Sequence, residues 1–478
     1  MKRKITGFIS LFICFSYLAQ NINPGACDKN LKVFIENFNT AKYSAIYTLL
    51  NRDYQKTITQ KEFGDFLKLN LMDIYGKLIS ITREMNRPQN EYTALFANGK
   101  LSLIFTCDAS NKIDGMQWQP YKEILTEPPV LTNNDLISDN PKDTKRDLQV
   151  DSIAKVFLEN NVFCGLSIGI YSNNKTNYYN YGEIKKGSHV LPSKKTIYEI
   201  GSISKTFTGI LLAEAVNEKK VSINDPVKKL LGNDFKNLSY KGKDVELVHL
   251  ANHTSRIHRI PSDLKNQPDF NEQDPYKNYN ESMLLNYLKK IVIDTFPGTK
   301  NEYSNLGMTT LAIILEKVYG RSYEQLLHEK IASVYQLPDT KINFTPNYSG
   351  TFANGYGGDG KETPHWNLGI FNGAGGILSN TDDLLRYACI NLSDPVPALK
   401  LSHYSTYNDS KTNVGLGWHI TTTRLGNEMI WHNGKTGGFA SFCGIIKSKK
   451  IAVVVLCNSA ANSDQVALGL LKLLQLQN

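Results

Sequence analysis

Residues Ile197–Gly209, IYEIGSISKTFTG, decide how the rest of this chain is read. Ser202 follows a glycine and precedes a strongly helical run, KTFTGILLAEAVNEK, which predicts that it sits at a helix N-terminus. Positions i and i+3 share one face of a helix, so Lys205 is brought beside Ser202. Negative charge is favoured at the same end by the helix dipole. Burial of such a helix strips water from the lysine and favours its neutral, basic form, giving a hydroxyl nucleophile with a base in reach. The letters alone are weak, because S-x-x-K recurs at Ser152, Ser172 and Ser262. Those three fall in an exposed helix, a hairpin turn and an irregular polar loop. Taken in isolation, Ser202 and Lys205 read as a helix cap with a solvated lysine one turn on.

Two further stretches give the pair its context. In FPGTKNEYSNLGM, Pro297-Gly298 forces a turn and a helix is expected from Leu306, leaving Tyr303-Ser304-Asn305 on a loop edge. A phenol ionises near about pH 10. A neighbouring Lys205 ammonium is expected to lower that value and make a phenolate base for Ser202. Asn305 can donate and accept at once. Y-x-N also occurs at Tyr171, Tyr178 and Tyr276, read here as incidental. Near the C-terminus, WHNGKTGGF (Trp431–Phe439) holds two overlapping triplets, His432-Asn433-Gly434 and Lys435-Thr436-Gly437. Their offset is odd, so on a strand only one of His432 and Lys435 points toward a given face.

In this order, and with VSINDPV, LVHLANHTS, GAGGILSNTDDLLRY and GLGWHI between them, these segments resemble the serine β-lactamase and penicillin-binding family. The likeness is to its class C β-lactamase and DD-carboxypeptidase branch and runs from about Val150 to the C-terminus. It implies an α+β fold of the β-lactamase/transpeptidase type, an antiparallel sheet flanked by helices plus a helical subdomain. It further implies that Ser202 is acylated, that Lys205 and Tyr303 move its proton, and that Asn305, His432 and Gly434 meet the substrate. The backbone N–H groups of Ser202 and Lys435 would hold the oxyanion. The family places a Gly-Phe pair six and seven residues after the first residue of its strand motif. Counting from His432 reaches Gly438-Phe439, so His-Asn-Gly is the working triplet. Implied substrates are D-alanyl peptides, β-lactams or small esters, with no cofactor or metal; the rival reading is a non-catalytic cell-wall or peptide-binding protein on the same fold. Two departures stand out. Arg256 replaces a usual glycine, and His432 replaces the lysine of true class C β-lactamases, which argues against β-lactam hydrolysis as the main task.

Outside these segments the chain sets bounds. At 478 residues it predicts two domains, and 41% hydrophobic with 21% charged residues is a globular composition. Lys2-Arg3-Lys4 ahead of the apolar run Ile5–Ala19 reads as a signal peptide over residues 1–19, too short for a stable membrane span, and predicts export to a periplasm or the medium. Without the leader's three basic residues the net charge falls from +9 to +6. No basic cluster interleaved with aromatics suggests nucleic acid; the expected partner is a small molecule or peptide, peptidoglycan included. Residues 28–122 predict a small α+β module, helical to about Leu71 and then β-rich, whose outline resembles cone-shaped, ketosteroid-isomerase-like modules. A linker is expected over 123–148 and the hydrolase-like domain over 149–478. Cys14 lies in the leader. Among the six remaining cysteines, Cys27 with Cys107 is a candidate disulfide, while Cys164 and Cys457 sit in apolar context as buried thiols. His249 and His253, four apart, lack a third ligand and read as structural.

Overall fold

The computed structural model describes residues 24–82, 91–121, 137–159, 164–343 and 351–477. The expected leader, most of the expected linker and the Cys27 side chain lie outside the described residues. The chain divides into two compact units, 1–126 and 127–478.

In the first unit, six helical segments from Pro24 to Tyr75 precede four antiparallel strands in sequential order: β1 (Leu78–Thr82), β2 (Glu91–Phe96), β3 (Gly99–Cys107) and β4 (Ile113–Pro120). Its core is aromatic, with Phe38 meeting Phe96 edge-on at 5.9 Å and Phe34 lying 6.1 Å from Trp118. Cys107 is disulfide-bonded. Cys164, Cys389, Cys443 and Cys457, all in the second unit, are free thiols.

The second unit is built on an eight-stranded antiparallel sheet. Its strands are β5 (Leu166–Ser172), β6 (Lys175–Tyr181), β7 (Tyr407–Asn408), β8 (Asn413–Val414), β9 (His419–Thr422), β10 (Glu428–Lys435), β11 (Ala440–Ile446) and β12 (Ile451–Cys457). They lie in the order β7-β8-β9-β10-β11-β12-β5-β6, so the two ends of the domain meet at the β12–β5 pair. Asn173 and Asn174 join β5 to β6 with φ of 51° and 59°, the left-handed geometry that a two-residue hairpin requires and asparagine tolerates.

β12, IAVVVLC, shows why this sheet is central. All seven residues are buried, and they alternate between two cores. Ile451, Val453 and Val455 join the core shared with the helices Lys145–Glu159 and Asp464–Gln477. Ala452, Val454 and Leu456 join the larger core shared with Thr381–Ser393 and the serine helix, Ser204–Asn217. A continuous apolar run is what burial on both faces demands.

The structure starts the domain earlier than the sequence implies. Ile137 and Asp139 hydrogen-bond to the end of β6, Ser138 bridges Tyr181, and the first helix begins at Lys145. Residues 137–148, expected as linker, thus bond to the end of β6 through a single bridge and then open the first helix of the second unit; their Asn-Asp-Pro-Lys composition served turns and a helix start as well as it would a linker.

Candidate active site

Ser202 sits in a 3-10 turn, Gly201–Ile203, that runs directly into the serine helix. Two glycines press this turn against the end of β10. Gly201 has φ +50°, and a Cβ there would lie 2.8 Å from the Lys435 backbone nitrogen. A Cβ on Gly434 would lie 2.0 Å from the Ile200 carbonyl oxygen. Ser441, opposite Gly434 on β11, completes the join by donating to that carbonyl at 2.8 Å. Close backbone approach is the reason both positions are glycine.

Lys205 is fully buried, its Nζ 3.0 Å from Ser202 Oγ and donating to the Ala374 carbonyl at 2.6 Å. The short Gly373–Gly376 segment that supplies this carbonyl is tied to the serine helix by Thr208, which donates to Gly373 at 2.6 Å. Desolvation, and secondarily the positive charge of Arg259, hold the amine well below the ordinary lysine pKa.

Tyr303 hydrogen-bonds Ser202, and its ring centroid lies 4.7 Å from Lys205 Nζ and 4.9 Å from the Arg259 guanidinium. Its protonation runs opposite to the sequence expectation. Burial pushes the phenol upward, outweighing the Ser202 hydrogen bond and Arg259, which pull it down. The same burial disfavours the Lys205 ammonium that would have stabilised a phenolate. The phenolate expectation is therefore corrected: burial holds the phenol in its protonated form and favours the free amine of Lys205.

Asn305 opens the helix Asn305–Tyr319 but does not cap it; Ser304 does, accepting from the Gly307 N–H at 2.8 Å. Asn305 hydrogen-bonds Tyr276, while its Oδ1 is buried without a hydrogen-bond partner among the described residues. Thr436 Oγ1 shares that condition. Ser202, Tyr303, Asn305, Gly434, Lys435 and Thr436 all line one cavity of about 550 Å³.

His432 is only 2% exposed and does not line this cavity. It stands inside the wall, 6.2 Å from the Tyr303 ring and 4.8 Å from that of His419, with Nδ1 2.6 Å from the Asn433 carbonyl and Nε2 unpartnered among the described residues. His419 takes the lining position. Desolvation, with Lys205 second, pushes His419 down to about 4. His432 and His253 are held well below their usual value, again chiefly by burial. Lys435 is exposed; what it brings to the cavity edge beside Gly201 is backbone.

His253 is not one face of a helix with His249. It follows the helix Leu247–Ala251 with φ +63°, stacks on Tyr303 at 4.5 Å and accepts from the Ser304 N–H. No group of metal-ligating side chains occurs among the described residues. Arg256 occupies the left-handed conformation that glycine usually takes, at φ +65°. Two acidic partners hold it there, Asp294 through paired contacts of 2.9 Å and Glu302 at 2.6 Å.

Sequence reasoning missed the rest of the cavity: Arg259, Tyr276, Trp366, Leu368 and Phe371. Tyr276 had been set aside as an incidental Y-x-N match, yet it packs against Phe371 at 4.9 Å and Trp366 at 5.6 Å. These residues come from irregular segments, where no periodicity marks them. His419 carried a signal, since hairpin register places it opposite Trp431, one step from His432.

Ser202 and Tyr303 thus meet around the buried Lys205 beside the end of β10, the arrangement expected of a serine hydrolase of the β-lactamase and transpeptidase class. The beta-lactamase family profile matches residues 150–477, and the chain belongs to that family. It is 25% identical over 358 residues to a beta-lactamase of Pseudomonas fluorescens, covering 66% of this chain and 95% of that one. It is also 25% identical over 314 residues to the D-alanyl-D-alanine-carboxypeptidase/endopeptidase AmpH of Escherichia coli (strain K12), covering 61% and 78%. The fold matches the octameric penicillin-binding protein homologue from Pyrococcus abyssi with TM-score 0.61 at 24% identity, over 68% of this chain and 77% of that one. A beta-lactamase/D-alanine carboxypeptidase from Pseudomonas syringae also gives 0.61, at 22% identity, over 70% and 99%. Among the described residues no helix is long and apolar enough to cross a membrane.

Proposed function

We propose that this serine hydrolase works through an acyl-enzyme on Ser202, with D-alanyl peptides and small esters as substrates and β-lactams as acylating agents that leave slowly. The observation that carries this is the 3.0 Å contact between Ser202 Oγ and the amine of a fully buried lysine, whose pKa desolvation holds well below the ordinary value. The lone pair of Lys205 takes the hydroxyl proton as Oγ bonds to the substrate carbonyl carbon. Negative charge then gathers on the carbonyl oxygen, and the N–H groups of Ser202 and Lys435, brought together by Gly201 and Gly434, receive it. The resulting ammonium returns its proton to the leaving group through the neutral Tyr303 hydroxyl, and the carbon–leaving-group bond breaks. Water repeats the cycle on the ester and frees Ser202. Asn305 Oδ1 and Thr436 Oγ1, buried and unpartnered, suit a substrate amide.

Slow departure of β-lactams follows from the missing ammonium at the strand motif: His432, where a β-lactamase would carry lysine, is held below its ordinary pKa by burial and is set inside the wall rather than on the cavity surface. The test is labelling with a fluorophosphonate and a fluorescent penicillin, alongside turnover of nitrocefin, a D-Ala-D-Ala peptide and a p-nitrophenyl ester. Labelling lost in Ser202→Ala, with peptide or ester turnover exceeding that of nitrocefin, is expected. A wild-type protein that neither probe acylates overturns the reading, and rapid cephalosporin turnover overturns its substrate order. The leader further supports export, which N-terminal sequencing of the mature protein from a periplasmic or secreted fraction would check.

A further inference from the structure

The stretch 252–259 carries two non-glycine residues in the left-handed region, His253 at φ +63° and Arg256 at φ +65°. Such conformations are strained, and they persist where the surroundings hold them for a purpose. What this stretch cradles is the segment 301–306. Asn301 donates to the Asn252 carbonyl at 2.8 Å, and the Glu302 N–H to the His253 carbonyl at 2.7 Å. Ser304 Oγ donates to the His258 carbonyl at 2.7 Å, and the N–H groups of Asn305 and Leu306 donate to the Arg259 carbonyl at 2.9 and 3.1 Å. Tyr303, in the middle, makes no backbone hydrogen bond of its own among the described residues. Its place is therefore set by Glu302 on one side and Ser304 on the other. The Glu302 carboxylate is anchored by Arg256, whose side chain is 7% exposed although its partners Asp294 and Glu302 are 63% and 50% exposed. One guanidinium thus gathers the two ends of the loop 294–302, and closing a loop removes the freedom its end would otherwise keep.

We propose that Arg256 is a positioning residue: by drawing Asp294 and Glu302 to one guanidinium it fixes the loop that leads into Tyr303 and so keeps the phenol hydroxyl on Ser202. Glycine would adopt the same backbone without strain, so what arginine adds at this position is the clamp. This deepens the acyl-hydrolase reading and rests on it, since Tyr303 there passes the proton to the leaving group.

Leaving groups separate positioning from mere structural support. The alkoxide of ethyl butyrate needs a proton as it departs, whereas p-nitrophenolate leaves without one, so a displaced Tyr303 penalises chiefly the first. In Arg256→Gly, kcat/KM for ethyl butyrate is expected to fall about tenfold, part of the hundredfold or more that a well-placed proton donor contributes. The value for p-nitrophenyl butyrate should change by less than about threefold. Glu302→Gln breaks the clamp from its exposed end and should act alike, which keeps the test alive if Arg256→Gly folds poorly. The double variant should do no more than either single change, because both cut one link. Equal falls for the two esters, wild-type rates in Glu302→Gln, or single effects that add in the double variant overturn the proposal. Replacing Tyr303 by meta-fluorotyrosine reads the same point without turnover. Its fluorine resonance should shift or broaden when Glu302→Gln is added, and an unmoved resonance overturns the proposal. Failure of wild-type Ser202 to be acylated would instead strike the hydrolase reading, while the fluorine signal still reports on the clamp.

Discussion

The two sides of the catalytic cavity handle charge in opposite ways. Toward the protein interior, Lys205, Tyr303, His253 and His432 are packed together and burial shifts the pKa of every one of them in the direction that favours its neutral form. At the mouth, Arg259 and Lys435 remain in water. The contrast teaches a division of labour: a dry interior makes a lysine basic enough to take a hydroxyl proton, and solvated cations at the entrance attract substrate without entering the chemistry. Substitutions that charge, discharge or displace one side without the other test that division.

The largest effect should come from Lys205→Met, which removes the base and leaves the apolar stem. Acyl transfer should fall by about a thousandfold, within the range for general-base loss. Thermal stability at neutral pH should hold or rise, because a buried amine without its proton costs folding energy. The sign follows from proton counting. Between the depressed folded pKa of Lys205 and its ordinary value near about 10.5, the unfolded chain binds the proton and the folded chain does not. Stability therefore rises with pH across that window in the wild type and less so in the variant. A variant that keeps its rate, or that melts with the same pH slope as the wild type, would remove Lys205 from the role assigned to it.

Next is Gly434→Ala. Its methyl would overlap the Ile200 carbonyl and sit 2.4 Å from Ser441 Oγ, forcing the strand away from the serine turn. Losing one oxyanion donor costs about a hundredfold or more in rate. Ester hydrolysis should fall by that order while Ser202 still labels slowly. Wild-type turnover would show that the strand-to-turn spacing is not what holds the oxyanion.

His432→Lys attacks the neutral interior directly by placing an ammonium beside Lys205, His419 and His253. An unpaired cation there should cost about 2 kcal/mol or more, read as a lower urea midpoint at unchanged slope. Undiminished stability would mean that the interior tolerates charge, and the contrast between the two sides would fail.

What the sequence showed of this site follows the same boundary. Ser202, Lys205 and the β10 edge were legible because helical spacing and strand alternation fix where side chains point, and those periods are written in the residues; Tyr303, on the loop before a helix, was legible only from the order of motifs that carries the family resemblance. The central sheet was legible for the same reason, down to β12 as an apolar run. Arg259, Trp366 and Phe371 were not, because they reach the cavity from loops whose geometry is set by distant partners such as Asp274, Gln273 and Asn305. Protonation was the other blind spot. Adjacency of Lys205 and Tyr303 was readable, and it suggested an ion pair; only the depth of burial shows that the charged form of each side chain is disfavoured. His432 failed by a similar margin, being on the correct strand and register but one layer behind the surface that His419 lines.

The smallest expected effect links the two sides. Arg259 is the second cause of the depressed Lys205 pKa, after desolvation. Its charge reaches the amine across Tyr303, since the Arg259 guanidinium and Lys205 Nζ both lie within 5 Å of that ring centroid. Replacing it by methionine removes a repulsion that disfavours the ammonium, so the Lys205 pKa must rise. The neutral amine is the active form, and the acid limb of kcat/KM for an uncharged ester should therefore move to higher pH. Arg259→Lys, keeping the charge, should leave the limb near its wild-type position. Because Arg259 is exposed, added salt should narrow the gap between wild type and Arg259→Met. An acid limb that stays in place, or moves to lower pH, would mean that the cation at the mouth does not tune the base inside, and that desolvation alone sets the protonation of Lys205.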